Sequence, residues 1–328
     1  MAPNETVVGI QVLQALAALR ADSSELTAQH PDHAFRPAPE CLAQWQAAGL
    51  DTTAFRNGLH AARERYAELG LSQMMPLERV LVGAESVRSG AFGGFHHPDQ
   101  GYRHLQMIAV VTMYGPMERD TPERPELALL DLLRAYAHDC LHYGSRRRYV
   151  DVGGKPTRTQ YGINFRRPTG QTYSAADPQG TPHTRNLGVA MEGACDREAR
   201  RITRETAARA GFNEPDDVFG RFAFRDTTGT LSAEDVMTDP GGEGSDEAVR
   251  YVGALRRYET GVNRRYAVFL AEFAPGEEDD LHRVLLTAVV SGDTRDLGVW
   301  LDARHGPGTF AAVFQTSAYF TPTLDLSA

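Results

Sequence analysis

The run from Leu127 to Tyr143 is apolar at helical spacing and stops at Gly144, and it constrains this chain more than any other stretch. Ahead of it, Thr121-Pro-Glu-Arg-Pro-Glu offers an N-cap threonine, a proline for the first helical position and acids for the first turn, so the sequence predicts a helix from Pro122 to Gly144. That helix ends in Ala137-His-Asp-Cys-Leu-His-Tyr143. With about 100° of turn per residue, His138 and His142 lie about 40° apart on one face and Asp139 sits on the same flank. Two imidazoles one turn apart, with a carboxylate beside them, are what a zinc-binding helix presents. Cys140 falls on the opposite side and reads as core.

Two histidines at this spacing need a third ligand. A second long helix is predicted from Asn186 to Gly211, and Met191-Glu-Gly-Ala-Cys-Asp-Arg-Glu in it places Glu192 and Asp196 one turn apart. A carboxylate such as Glu192 can ligate zinc. Asp196 could accept the remaining N–H of a ligating histidine, the outer contact that fixes a tautomer. Cys195, on the same helix, is expected to be a small buried residue and not a thiolate ligand.

The rest of the chain divides into three parts. Residues 1–75 read as a helical N-terminal subdomain interrupted by the proline-containing segment 30–39, with Asp51-Thr-Thr-Ala offering a cap for the helix after it. Residues 76–180 read as an α+β subdomain that holds the histidine helix, a small sheet and a hairpin turning at Phe95-His-His-Pro-Asp-Gln-Gly-Tyr102, followed by extended pieces that turn at Gly153-Gly154 and at Pro168-Thr-Gly170. Residues 181–328 read as a helical subdomain supplying the third ligand, with a solvated loop over 239–246 and helices from Glu247 to Phe273 and from Glu277 onward.

Composition excludes several classes of function. With 34 Lys+Arg against 43 Asp+Glu, a formal net charge of −9 argues against nucleic acid or an anionic membrane as partner. No stretch approaches the ~20 apolar residues of a membrane span. Three cysteines (Cys41, Cys140, Cys195) without a CxxC pair point to a reducing compartment, and no export signal precedes the first helix, so a cytoplasmic location is expected. Lys155 is the only lysine, an arginine bias of the kind GC-rich bacterial coding produces.

The order hairpin, HxxxH helix, extended segment and E-G-x-x-D helix resembles the thermolysin-like gluzincin zinc metallopeptidases, above all their small bacterial forms. The resemblance runs from about Leu81 to Ala318 and includes Ser145-Arg-Arg-Arg, Asn186-Leu-Gly-Val-Ala-Met-Glu-Gly, Leu285 to Gly292 and Gly306-Pro-Gly-Thr-Phe. It implies a zincin-like α+β fold in which a small mixed sheet with an edge hairpin packs on the metal-binding helix. It also implies Zn²⁺ on His138, His142 and Glu192, Asp139 as general base, Asp196 as partner of a ligand histidine, and a peptide or small-molecule amide as substrate. This chain departs from the family at the base: HDxxH stands where HExxH is usual, and aspartate is shorter by one methylene, about 1.5 Å. An oxyanion donor would come from Tyr161, His183, Tyr251, Tyr258 or His305, among which spacing does not choose.

Two other functions compete. An HD-type phosphohydrolase would use His104, the His138-Asp139 pair and Asp196, but it leaves His142 and Glu192 unexplained and needs a helix where His104 opens a β-branched run. A gluzincin-like scaffold without peptidase activity would bind a partner and turn nothing over, yet would have no reason to keep three ligands. His96-His97, His30 and His33 read as surface histidines, and Arg146-Arg-Arg148 and Arg200-Arg201 as solvated basic runs.

Overall fold

The computed structural model describes residues 4–21, 33–86, 94–97, 102–106, 122, 124–174, 176–237 and 246–315. Strand β1 (Glu5–Val7) and helix α1 (Ile10–Ala21) are followed by β2 (His33–Pro37), α2 (Ala38–Ala47), α3 (Thr53–Glu68), β3 (Val80–Ser86), β4 (Gly94–His97) and β5 (Tyr102–Gln106). Next come α4 (Pro125–Gly144), β6 (Arg147–Val152), β7 (Lys155–Tyr161), β8 (Asn164–Phe165), α5 (Leu187–Ala210), α6 (Val218–Thr228), α7 (Ala233–Met237) and α8 (Asp246–Tyr258). A π-helical turn (Glu259–Asn263) joins α8 to α9 (Arg264–Phe273), and α10 (Glu278–Ser291), α11 (Arg295–His305) and α12 (Thr309–Phe314) complete the order. The fold is α+β and mostly helical.

Two small mixed sheets flank the helices, with strand orders β1-β6-β7-β8 and β2-β3-β5-β4. In the second, β4 and β5 form the antiparallel hairpin that the turn signals predict, β4 is the edge strand, and it lies against α4. The apolar run after β5 lies outside the described residues, as does most of the acidic segment 239–246. Residues 1–75 are not helical throughout: β1 joins β6 in parallel and β2 joins β3 antiparallel, so this part completes both sheets. Pairing of this kind depends on strands far along the chain, which local helical spacing does not report.

Helix α4 begins three residues later than its sequence suggests. Pro125 disfavours helical backbone in the residue before it, and Arg124 takes φ −119° and ψ 72°. From there α4 is buried on nearly every side: Leu127–Leu130, Leu132, Leu133, Tyr136, Ala137, Cys140 and Leu141 all sit in the main core. A helix that is apolar all round belongs at the centre of a fold, and α3, α4 and α5 pack against one another there. Helix α5 is capped as its sequence indicates, by the Asn186 side chain accepting from the amides of Gly188 and Val189, and it ends on left-handed Gly211. Gly193, the residue after Glu192, lets α9 come close: a Cβ there would lie 2.4 Å from the Cβ of Tyr266.

No helix among the described residues is long and apolar enough to cross a membrane.

Candidate metal centre

The sequence-predicted ligands converge. His138 and His142 project from the last turns of α4, Glu192 from the first turns of α5, and they form a group that could hold a metal ion. His142 Nε2 stands 2.9 Å from His138 Nε2, while Glu192 Oε2 lies 3.3 Å from His142 Nε2 and 3.5 Å from His138 Nε2. Ligands at the ~2.0–2.1 Å typical of zinc, set tetrahedrally, are separated by edges of about 3.3 Å. The three donor atoms are thus spaced so that one metal ion could be held among them, and both imidazoles contribute Nε2 to the group's short contacts. The side chains of His142, His138 and Glu192 are 4%, 14% and 38% exposed, so the cluster is closed behind His142 and reached from solvent beside Glu192.

The end of α4 is pinned from several sides. Tyr66 of α3 donates to the Ala137 carbonyl at 2.9 Å, Ser145 Oγ to that of Leu141 at 2.7 Å, and Arg147 Nη2 to those of His142 and Tyr143 at 2.7 and 2.9 Å. The last carbonyls of a helix lack partners within it, and Ser145 and Arg147 supply them. Arg147 is wholly buried, not part of a solvated basic run. Its guanidinium stands 5.7 Å from the Tyr161 ring, which stacks on His142 with centroids 5.5 Å apart.

Charge at the site follows from these neighbours. Burial acts to raise Glu192, but His142 and His138 outweigh it and hold the carboxyl far below the usual range. Burial depresses His142 more than Glu192 restores it, which keeps the imidazole neutral and its lone pair available. For His138, burial acts downward, but Asp196 and Glu192 more than offset it and leave the ring raised.

Asp196 lies behind His138 and is 1% exposed, not an exposed acid near a helix start. Its Oδ1 faces His138 Nδ1 at 3.5 Å, on the side of the ring away from the cluster. Arg134 Nε and Nη2 each donate to it at 3.1 Å, and Arg200 Nε lies 2.9 Å from its Oδ2. Arg200 is buried too, against the expectation of a solvated Arg200-Arg201 run. The sequence reading missed Arg134, Arg200, Asp226 and Glu259. A signal existed for the first two: Arg134 lies one turn before His138 and Arg200 one turn after Asp196, each on the same helix face as a predicted site residue.

Asp139 is 2% exposed and directly follows His138, but it is not a member of the group that could hold a metal. Cys140 and Cys195 are fully buried thiols, in no disulfide, outside that group. Of the five candidate oxyanion donors, Tyr161 is the one with a contact to the cluster among the described residues. Tyr161 stacks on His142, and the Tyr258 phenol is pushed up by burial and then by the charges of Asp196 and Glu192. His183 pairs with Glu272 at 3.4 Å and His305 with the Phe273 carbonyl at 2.7 Å, while the Tyr251 side chain lies outside the described residues. The side chains of His33, His96, His97 and His104 lie outside them as well; His104 itself sits in strand β5.

Comparison with known proteins finds no family model, no curated protein and no solved structure that matches this chain.

Proposed function

We propose that this chain is a zinc-dependent hydrolase of gluzincin-like design, with His138, His142 and Glu192 as ligands, acting on a peptide or small-molecule amide bond in a processing or biosynthetic step. The observation that carries this reading is the spacing of the three donors, 2.9, 3.3 and 3.5 Å, close to the separations that ligands of one zinc ion would have. A further support is the edge hairpin β4–β5 lying against α4, as a zincin-like fold requires.

Two histidines and one carboxylate are the donor set of hydrolytic zinc, which when bound would supply Lewis acidity, lowering the pKa of water and polarising a carbonyl. The remaining work falls to the chain itself. Asp196 favours the His138 tautomer that carries its proton on Nδ1 and leaves Nε2 as donor. Asp139 takes the proton of the attacking water and passes it to the leaving nitrogen. Tyr161, whose phenol burial keeps protonated, is the candidate to donate a hydrogen bond to the developing oxyanion.

The HD-type phosphohydrolase reading would need Asp196 as a ligand, and both of its oxygens already face arginines. Metal analysis of the purified protein tests the proposal. About one zinc per chain, absent from His142→Ala and from Glu192→Ala, is the expected result. One equivalent retained in both variants overturns the ligand assignment, two metals per chain favour the phosphohydrolase, and no metal favours a binding scaffold.

A further inference from the structure

Behind the candidate metal centre lies a buried ionic cluster whose contacts run in one direction. Arg134 binds both oxygens of Asp196 through Nε and Nη2 and turns Nη1 to Asp226 Oδ2 at 3.3 Å. Arg200 reaches Asp196 with Nε at 2.9 Å, Asp226 Oδ1 with Nη2 at 2.6 Å and Glu259 Oε2 with Nη1 at 2.7 Å. Glu259 opens the π-helical turn and accepts from Asn263 Nδ2, at the end of the same turn, at 3.0 Å. The side chains of Asp196, Asp226, Arg200, Glu259 and Arg134 are 2%, 1%, 6%, 8% and 12% exposed, so water shares little of this charge.

We infer that Arg134 and Arg200 are positioning residues for the proposed metal site, which clamp Asp196 from two sides so that its carboxylate can orient His138, with the π-helical turn as the clamp's anchor. The inference rests on the metal-binding reading of His138, His142 and Glu192.

Three features of the geometry support it. First, the fork of Arg134 meets both carboxylate oxygens, which fixes the plane of Asp196 and not merely its charge; a lysine would be a point charge with no such preference. Second, Arg134 and Arg200 face Asp196 from one side, Arg264 Nε lies 3.8 Å from Glu259 Oε1 at the other end of the cluster, and the group that faces Asp196 from the far side is His138. A carboxylate set against the outer N–H of a ligand imidazole strengthens that ligand. Third, a buried ion cluster is a poor way to gain stability, since apolar residues of the same volume often serve as well or better. A one-residue widening of a helix is likewise uncommon and found often at functional sites. Here the widened turn begins at the residue that binds Arg200 and closes with the residue that binds Glu259.

A second buried ion cluster on α5 provides the control. Glu198 accepts from Arg65 and Arg201 and pairs with His282, and none of these partners belongs to the metal-holding group. The experiment measures zinc affinity by chelator competition, and the visible spectrum of the Co²⁺-loaded protein, for wild type, Arg134→Lys, Arg200→Lys and Glu198→Gln. Expected is a loss of zinc affinity of about 10- to 100-fold in the two arginine variants, with an altered cobalt spectrum. Glu198→Gln should lower the melting temperature and leave affinity and spectrum unchanged. Should Arg200→Lys fail to fold, Arg134→Lys, at the more exposed edge of the cluster, carries the test alone. Arginine variants that bind zinc as tightly as wild type, or that weaken it no more than Glu198→Gln does, overturn the positioning role and leave the metal site standing. A wild-type protein that binds no zinc overturns both.

Discussion

The Nε2 atoms of His138 and His142 stand 2.9 Å apart and both face Glu192 Oε2. Two imidazole lone pairs at that distance repel unless a proton or a cation lies between them, and a neighbouring carboxylate favours either. Zinc should therefore stabilise the folded chain. At a hundredfold its dissociation constant a ligand adds about 2.7 kcal/mol, so the melting temperature should rise on adding zinc and fall on chelation. His142→Ala should show neither shift; an equal shift in that variant would place the binding elsewhere.

Replacing Asp139 by asparagine removes the proposed base and retains its size in a buried position. One zinc per chain should remain while turnover of any amide substrate is lost. Full activity in this variant would rule out Asp139 as the base.

Tyr161→Phe keeps the ring that stacks on His142 and removes the hydroxyl. Zinc content should be unchanged, and kcat should fall by about 100-fold with KM little altered, the usual signature of a lost oxyanion donor. If KM rises with kcat unchanged, the phenol binds substrate instead, and Tyr258 becomes the next candidate.

At Gly193 α5 and α9 come close together, with Tyr266 Cβ 2.4 Å from the place a Cβ would occupy. Alanine there should cost ~1–3 kcal/mol through overpacking, read by denaturant unfolding. Since Glu192 is the next residue, the shift should also weaken zinc binding. Unchanged stability would mean that α9 gives way freely.

His282 is buried between Tyr266, whose hydroxyl lies 2.9 Å from its Nδ1, and Glu198, 3.2 Å from its Nε2. Burial holds His282 below its ordinary value; for Glu198 burial acts upward, but His282, Arg201 and Arg65 outweigh it and bring the carboxyl down to about 2. Both groups thus titrate lower in the folded chain than in the unfolded one, so acid favours unfolding. The His282 contribution is complete above about 6.5 and is lost as pH falls below that value; the Glu198 contribution is complete above about 4.5 and is lost on the way to about 2. The melting temperature should decline from pH 6.5 downward, and His282→Asn should flatten the decline between pH 6.5 and 5. An unaltered slope in the variant would assign the acid sensitivity to other groups.

What the sequence by itself determined is local. The 3.6-residue period brings His138 and His142 to one face, places Glu192 and Asp196 one turn apart, and sets Asn186 and Gly211 at the two ends of α5, because each of these relations lies within a single helix. The order of elements around the site, with its hairpin and two long helices, was legible for the same reason. Tertiary structure alone decided which faces meet. It brought Glu192 of α5 within 3.5 Å of both α4 histidines, buried Arg147 under the end of α4 and turned Arg134 and Arg200 inward onto Asp196. An arginine's sequence context is much the same on a solvated face as in a buried ion cluster; what separates the two is whether distant carboxylates such as Asp226 and Glu259 are present to offset the loss of water. The π-helical turn belongs with these, for one extra residue in a helix is stabilised by the contacts that Glu259 makes across the fold and leaves no mark in the local period.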